Sequence, residues 1–304
     1  MVKDNHRLKR ITKNYELYLF ILPGLVYFIL FCYVPMYGVQ IAFKDYNVVR
    51  GIWGSPWVGL LNLNYFFKSY FFWNTIGNTL TITLYSLAVG FPIPILLALM
   101  LNEVSGRRFK KTVQTVTYAP YFISTVVMVG MIIALLSPTT GIVNKLVNVL
   151  GMESVSFLTR NELFSSVYVW TGVWQYSGWG SIIYIAALAG IDPQLHESAV
   201  IDGATRLQRI RHINIPGILP TIVIMLILNT GNLMNVGFEK VFLMQNPLNL
   251  GASEVISTYV YKVGLQSAQY SFSSAVGLFN SVINFILLVS VNSLIKRINE
   301  TSLW

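Results

Sequence analysis

Few residues in this chain could do acid–base or metal chemistry. The 304 residues include three histidines, His6, His196 and His212, and one cysteine, Cys32, which lies in an apolar run. A single cysteine rules out a disulfide within the chain and a cysteine-based metal site. A metal centre or a catalytic triad needs histidines and carboxylates converging in space, and these three histidines read as solvated interfacial residues. No G-x-x-x-x-G-K-S/T run occurs, so the chain cannot hydrolyse ATP by a P-loop. Neither H-E-x-x-H nor G-x-S-x-G is present. The expected chemistry is therefore binding and not catalysis, with no metal. It would be carried by polar and aromatic residues inside apolar segments and by one polar loop, 191–216, with Glu197, Asp202 and three arginines.

The elements that hold these residues follow from composition. Hydrophobic residues make up 54% and charged residues 11%, with a mean hydropathy of +0.59. A soluble domain carries about 25% charge, so much of this surface must face lipid. The net charge of +9 reads as basic loops on the inner face of a bilayer and not as a nucleic-acid site. Crossing the hydrocarbon core takes about 20 apolar residues. Six segments qualify, at about 17–43, 76–101, 112–137, 165–190, 213–235 and 272–295, which predicts an all-α polytopic protein. Pro23, Pro35, Pro92, Pro94 and Pro120 fall inside them, and such kinks need neighbouring helices to satisfy the freed backbone groups. The first run is too long for a signal-peptide core and reads as an uncleaved helix. With the N-terminus inside, fourteen of the 21 Lys and Arg residues fall on the inner side. That bias places both termini in the cytoplasm, with outer loops at 44–75, 138–164 and 236–271.

Polar residues within a bilayer face a bundle interior or a cavity. Asn229, Asn232 and Asn235 recur every three residues in the fifth segment, and Asn280 and Asn284 share a side of the sixth. Trp170, Trp174, Gln175, Tyr176 and Trp179 cluster in the outer half of the fourth. Two readings stand for each group. The asparagines either line a pathway that binds hydroxyl groups or join helices to one another. The aromatic rings either stack on flat sugar faces or form an interfacial belt. No Lys or Arg falls within the six segments, which argues against an anion pathway.

The loop from Ile191 to Thr221 carries the most specific pattern. Asp192 is placed to cap a short helix that Pro193 begins. Asp202-Gly203 is placed to end it, because glycine takes the left-handed conformation readily. A basic segment (Arg206, Arg209, Arg211) follows, and Pro216 stands where the fifth span begins. Two short elements joined at a glycine are expected, with small residues Ser198, Ala199 and Ala204 that allow close approach to a partner. Glu197-Ser198-Ala199, three residues, Gly203, nine residues, Ile213, one residue, then Ile215-Pro216 resembles the EAA motif of binding-protein-dependent ABC importer permeases. Ser198 and Ile215 are its two mild departures, and Asp202-Gly203-Ala204 matches as well. Tyr33-Val34-Pro35-Met36-Tyr37-Gly38, Gly237-Phe238-Glu239-Lys240-Val241-Phe242 and Ser257-Thr258-Tyr259-Val260-Tyr261 are similar to the LplB-type permeases for polysaccharides and complex sugars, and Asn78-Thr79-Leu80 is similar to sugar-importer permeases more broadly.

The resemblance implies the type I ABC importer permease fold. Its parts would be a cytoplasmic tail at 1–14, a first helix and outer loop at 15–71, a transmembrane domain at 72–296 and a tail at 297–304. It also implies that the loop is a coupling helix docked on an ATPase subunit, with Glu197 pairing to a base there and Gly203 forming the turn. The chain would hold no cofactor, since ATP and Mg would sit in the partner ATPases. The implied partners are a second, homologous permease subunit, two ATPase subunits and an extracytoplasmic solute-binding protein, in a bacterial cytoplasmic membrane. Nucleic acid is not among them. The implied cargo is an oligosaccharide or polysaccharide fragment. The competing readings are an importer of a peptide or amino acid, and a membrane scaffold that transports nothing.

Overall fold

A computed structural model describes residues 15–298, so the basic tail containing Lys3, Arg7, Lys9, Arg10 and Lys13 lies outside the described residues. Helices dominate, and among the described residues the only β-type pairing is the isolated Lys44–Trp57 bridge. The chain divides into two compact units, Met1–Phe67 with Val263–Leu278, and Lys68–Lys262 with Phe279–Trp304.

The first unit begins with α1, Tyr15–Phe43, whose most apolar stretch buries no side chain within the chain. A helix that is apolar all round and unburied requires an apolar solvent, as a membrane span does. Pro23 and Pro35 remove two backbone donors, and the helix widens to a π turn at Ile29–Tyr33. Beyond α1, the Asn62 amide on helix α2 (Leu61–Lys68) donates to the carbonyls of Ala42 and Lys44 at 2.9 and 3.1 Å. The turn is thereby stitched to the end of the span. Phe66 is fully buried here, edge-on to Phe272 at 6.3 Å between centroids.

The second unit holds the loop and the polar segments. Helix α3, Phe71–Glu103, breaks step at Gly90-Phe91-Pro92, where Pro92 starts a fresh helical run. Helices α4 (Arg107–Phe122) and α5 (Thr125–Leu136) meet at 102°. Pro120 tightens the last turn of α4, and the Ser124 hydroxyl caps α5 by accepting from the Val127 N–H at 3.4 Å. The third predicted span, 112–137, is therefore not one straight helix.

Helix α6, Asn161–Ala189, runs 29 residues and packs against α3 and α4. A Cβ on Gly178 would overlap the Thr117 carbonyl, and one on Gly180 would sit 3.3 Å from the Pro94 ring. Small residues let membrane helices approach this closely.

Short helix α7 (Pro193–Ile201) precedes α8, Arg206–Thr230, and the described residues end on α11, Tyr270–Ile298, which belongs to this unit from Phe279 onward. Between them lie α9 (Phe238–Met244) and α10 (Ile256–Tyr261). Among the described residues four helices are long and apolar enough to span, and the bent α4–α5 pair makes a fifth. The six apolar segments thus fold as these four helices, the bent α4–α5 pair and the long helix α6. α6 has the length, about 44 Å at 1.5 Å per residue, but its Ser, Gly, Gln and Trp residues lower its hydropathy. Two apolar clusters hold the unit. One gathers Ile82, Met128 and Ile132 around Phe164 near the start of α6, and the other gathers Ala98 and Ile218 around Tyr184 and Leu188 near its end.

Candidate functional site

The loop folds as a capped helix and a tight reversal. The Asp192 carboxylate accepts from the Gln194 N–H at 2.9 Å, and Pro193 occupies the first helical position. At the other end Gly203 has φ +77°. The Gly203 N–H donates to the Val200 carbonyl at 3.1 Å, and the Ala204 N–H to the Ala199 carbonyl at 2.8 Å. These two bonds make a Schellman motif, which satisfies carbonyls the helix end would orphan.

A reciprocal cap follows. Gln208 N–H donates to the Thr205 hydroxyl at 3.4 Å, while the Thr205 N–H donates to the Gln208 amide oxygen at 2.7 Å. The T-x-x-Q spacing signals this cap in the sequence.

The second element is not the separate short piece that the spacing predicts. It runs without a break into the membrane helix as α8, with a π turn at Ile210–Asn214 closed by the Ile215 N–H on the Ile210 carbonyl. Pro216 has no N–H to offer the His212 carbonyl, and the wider turn stands immediately before it. Ile213 is half-buried, Asn214 fully buried and Pro216 exposed. The loop thus forms a knob whose basic element is one piece with a helix of 25 residues.

The knob's surface suits docking. Glu197, Ser198 and Asp202 are exposed, Ala199 and Ala204 half-buried, and the apolar side chains of Val200, Ile201 and Leu207 stand in solvent. Glu197 has no ion-pair partner among the described residues. It lines a shallow cleft with His196, Asn102, Glu103 and Arg209. Across that cleft Arg209 lies 3.9 Å from Glu103, and the Asn214 amide donates to Glu103 at 3.4 Å. This network ties α8 to the end of α3 and joins residues more than 100 positions apart, which sequence spacing does not reveal.

Two adjoining cavities open in the second unit, sharing Ser86 and Gly90 at the α3 kink. One, of about 370 Å³, is lined by Thr83, Tyr184, Asn229, Asn232 and Asn235. The other, of about 400 Å³, is lined by Thr125, Tyr168, Tyr176, Glu239 and Lys240.

The predicted polar set divides accordingly. Asn229 stands on α8, but the helix ends at Thr230, and turns carry Asn232 and Asn235 to the same cavity. The expected single helical face is thus replaced by a helix end. Gly231 marks it, where a Cβ would meet Leu288 at 2.7 Å, and asparagine side chains favour such ends by competing for backbone groups. Asn280 donates to the Asn235 side chain at 2.9 Å, and buried Asn284 accepts from the Met234 N–H at 2.8 Å. These two brace the turn.

Gln175 is buried and faces away from the aromatic stripe, donating to the Ile123 carbonyl at 3.0 Å. That carbonyl belongs to the α4–α5 break, where no helical N–H is available. Trp170 and Trp174 are half exposed, the former donating to the Tyr85 hydroxyl at 3.0 Å. Trp179 stacks flat on Tyr121 at 4.4 Å. Of this stripe, Tyr176 lines the cavity of about 400 Å³.

Lys240 was not a sequence candidate. It comes from the stretch after α8, outside every span, yet it is 6% exposed in the wall of the larger cavity. Its ammonium donates to the Tyr168 carbonyl at 2.9 Å and lies 4.7 Å from that ring's centroid. Burial pushes its pKa down to about 8, because the charged form loses water.

Residues 90–300 match the family described as binding-protein-dependent transport system inner membrane component. The chain belongs to that family. The matched stretch contains the whole of the Glu197–Pro216 loop, so the EAA resemblance and the membrane-spanning permease fold stand. The permease is similar to the polygalacturonan/rhamnogalacturonan transport system permease protein YteP of Bacillus subtilis (strain 168). The two are 44% identical over 297 residues, 98% of this chain and 92% of that one. It is also 42% identical to protein LplB of the same organism, over 95% of this chain and 91% of that one. Among solved structures, the permease is similar to a chain of a bacterial ABC transporter involved in the import of the acidic polysaccharide alginate. There the TM-score is 0.90 at 41% identity, over 97% of this chain and 99% of that one. The same fit holds for that transporter in complex with an alginate pentasaccharide-bound periplasmic protein.

Proposed function

We propose that this permease forms half of a translocation pathway for an oligosaccharide or polysaccharide fragment, paired with a second, homologous permease subunit. Two ATPase subunits hold ATP and Mg at the cytoplasmic face. They drive the pathway through the loop at 191–216, with Glu197 meeting a base of the ATPase and both termini of this chain cytoplasmic. A solute-binding protein delivers cargo from outside the bacterial cytoplasmic membrane. The chain itself catalyses no reaction and holds no cofactor.

The observation that carries this reading is the knob, where Val200 and Ile201 on α7, capped at both ends, and Leu207 on the capped first turn of α8 stand exposed. An exposed apolar patch on a rigid support marks a partner surface. The hydroxyl- and amide-lined cavities beside Tyr168, Tyr176 and Asn229 support a saccharide, since tyrosine offers an apolar face and a polar tip.

The test is reconstitution of the complete complex in proteoliposomes, with ATP hydrolysis measured as binding protein loaded with saccharides or peptides is added. Stimulation by a saccharide is the expected result. Stimulation by peptides with no response to any saccharide would overturn the cargo, and co-purification of a Glu197→Lys variant with undiminished ATPase and coupling would overturn the loop's role.

A further inference from the structure

We propose that Lys240 receives a carboxylate of the cargo, so that the cavity beside Tyr168 selects acidic saccharides, built from uronic acid units, over neutral ones. This rests on the saccharide reading above and goes further by naming the chemical class.

A buried charge without a counter-ion is unfavourable, and proteins pair such groups or use them to hold a ligand. Lys240 is 6% exposed, and among the described residues no carboxylate lies within ion-pair distance of it. Its contacts are the neutral Tyr168 carbonyl at 2.9 Å and the Tyr168 ring. An ammonium has three donors, and one is used.

The room around it is made by glycine. A Cβ on Gly172 would come within 3.4 Å of the Lys240 ammonium, so a larger residue there would crowd the site. The cavity it faces, about 400 Å³, lies in the range that holds small ligands. Ser86, Thr125 and Tyr176 supply hydroxyls for the sugar's own hydroxyls. Glu239, the next residue in sequence, also lines the cavity but is exposed and makes no ion pair with Lys240. It repels an anion at the rim, and the ammonium deeper in the wall offsets that repulsion. Two of the similar proteins point the same way in their own cargo, polygalacturonan in one and an acidic polysaccharide in the other.

The experiment uses the full complex in proteoliposomes with two probes, an oligogalacturonate and the same oligomer with its carboxyls reduced to alcohols. Uptake of each is measured for wild type, Lys240→Met and Lys240→Arg. The binding protein is common to all arms, so a change in the acidic-to-neutral ratio between variants belongs to the permease. The ratio is expected to fall about tenfold or more in Lys240→Met, the scale of a lost charge-assisted hydrogen bond, and to recover in Lys240→Arg. Equal loss for both probes, or an unchanged ratio, would overturn the proposal, since a lysine that only braces Tyr168 would affect both alike. If Lys240→Met does not co-purify with its partners, Lys240→Gln, which keeps a donor for the Tyr168 carbonyl, decides by the same ratio. Uptake of neither probe by wild type would instead refute the saccharide reading itself.

Discussion

Replacing Gly203 by asparagine, alanine and valine separates the backbone role of this glycine from any contact it makes. Its φ of +77° lies in the left-handed region, and a Cβ there would meet nothing within 4 Å in this chain. Steric crowding within the permease is thus removed from the account, and conformation remains. An ordinary L-residue in that region costs about 1–2 kcal/mol, a factor of about 5 to 30 in the population of the capped loop. Valine, branched at Cβ, costs more, and asparagine less because it tolerates this conformation. The two Schellman bonds, Gly203 to Val200 and Ala204 to Ala199, weaken in the same order. The assay is co-purification of the ATPase subunits with the reconstituted complex, together with cargo-stimulated relative to basal ATP hydrolysis. Expected coupling runs wild type, asparagine, alanine, valine in descending order. If asparagine falls below alanine, size at a partner interface governs the position and the conformational argument is wrong. If alanine equals wild type, the turn does not limit coupling.

Three further outcomes follow from the geometry. Gly178→Ala drives a methyl into the Thr117 carbonyl, whereas Gly180→Ala meets only the edge of Pro94. The first should lower the thermal midpoint of the purified complex by the equivalent of about 1–3 kcal/mol and the second by clearly less, and equal effects would refute the tight α4–α6 crossing. Gln175→Leu leaves the half-buried Ile123 carbonyl at the α4–α5 bend without its donor, a loss of about 0.5–1.5 kcal/mol. Stability should fall with saccharide selectivity unchanged, and altered selectivity with intact stability would place Gln175 in the pathway instead. Burial lowers Lys240 from 10.5 to about 8, so the ammonium is intact below that pH and neutral above it. The groups facing it are Glu239, Tyr168 and Tyr176. Uptake of the acidic probe at low concentration should therefore fall as pH rises through about 8, while the carboxyl-reduced probe lacks that limb; a shared limb would refute the assignment to Lys240.

The features legible in the sequence are those written in short-range chemistry. Asp192-Pro193 and Asp202-Gly203 punctuate α7 because caps and left-handed turns depend on residues a few positions apart. The apolar runs announce a membrane chain because the bilayer sets a fixed length, and the spacing from Glu197 to Pro216 marks the family. Tertiary structure decided what lies between distant segments. It bent the third span at Ser124 and made Gln175 the donor that satisfies the bend, 52 residues away. It ended α8 at Thr230, so that Asn232 and Asn235 reach their cavity from a turn that Asn280 and Asn284 hold. It joined Glu103 to Arg209 and Asn214, and so tied the loop to α3. It also carried Lys240 from outside the spans into a cavity that hydropathy counts as free of charge. A periodic pattern reports which face of a helix is apolar, but the partner of a buried polar atom is set by where a remote chain segment leaves a carbonyl, an amide or a charge unsatisfied, and only packing places it there.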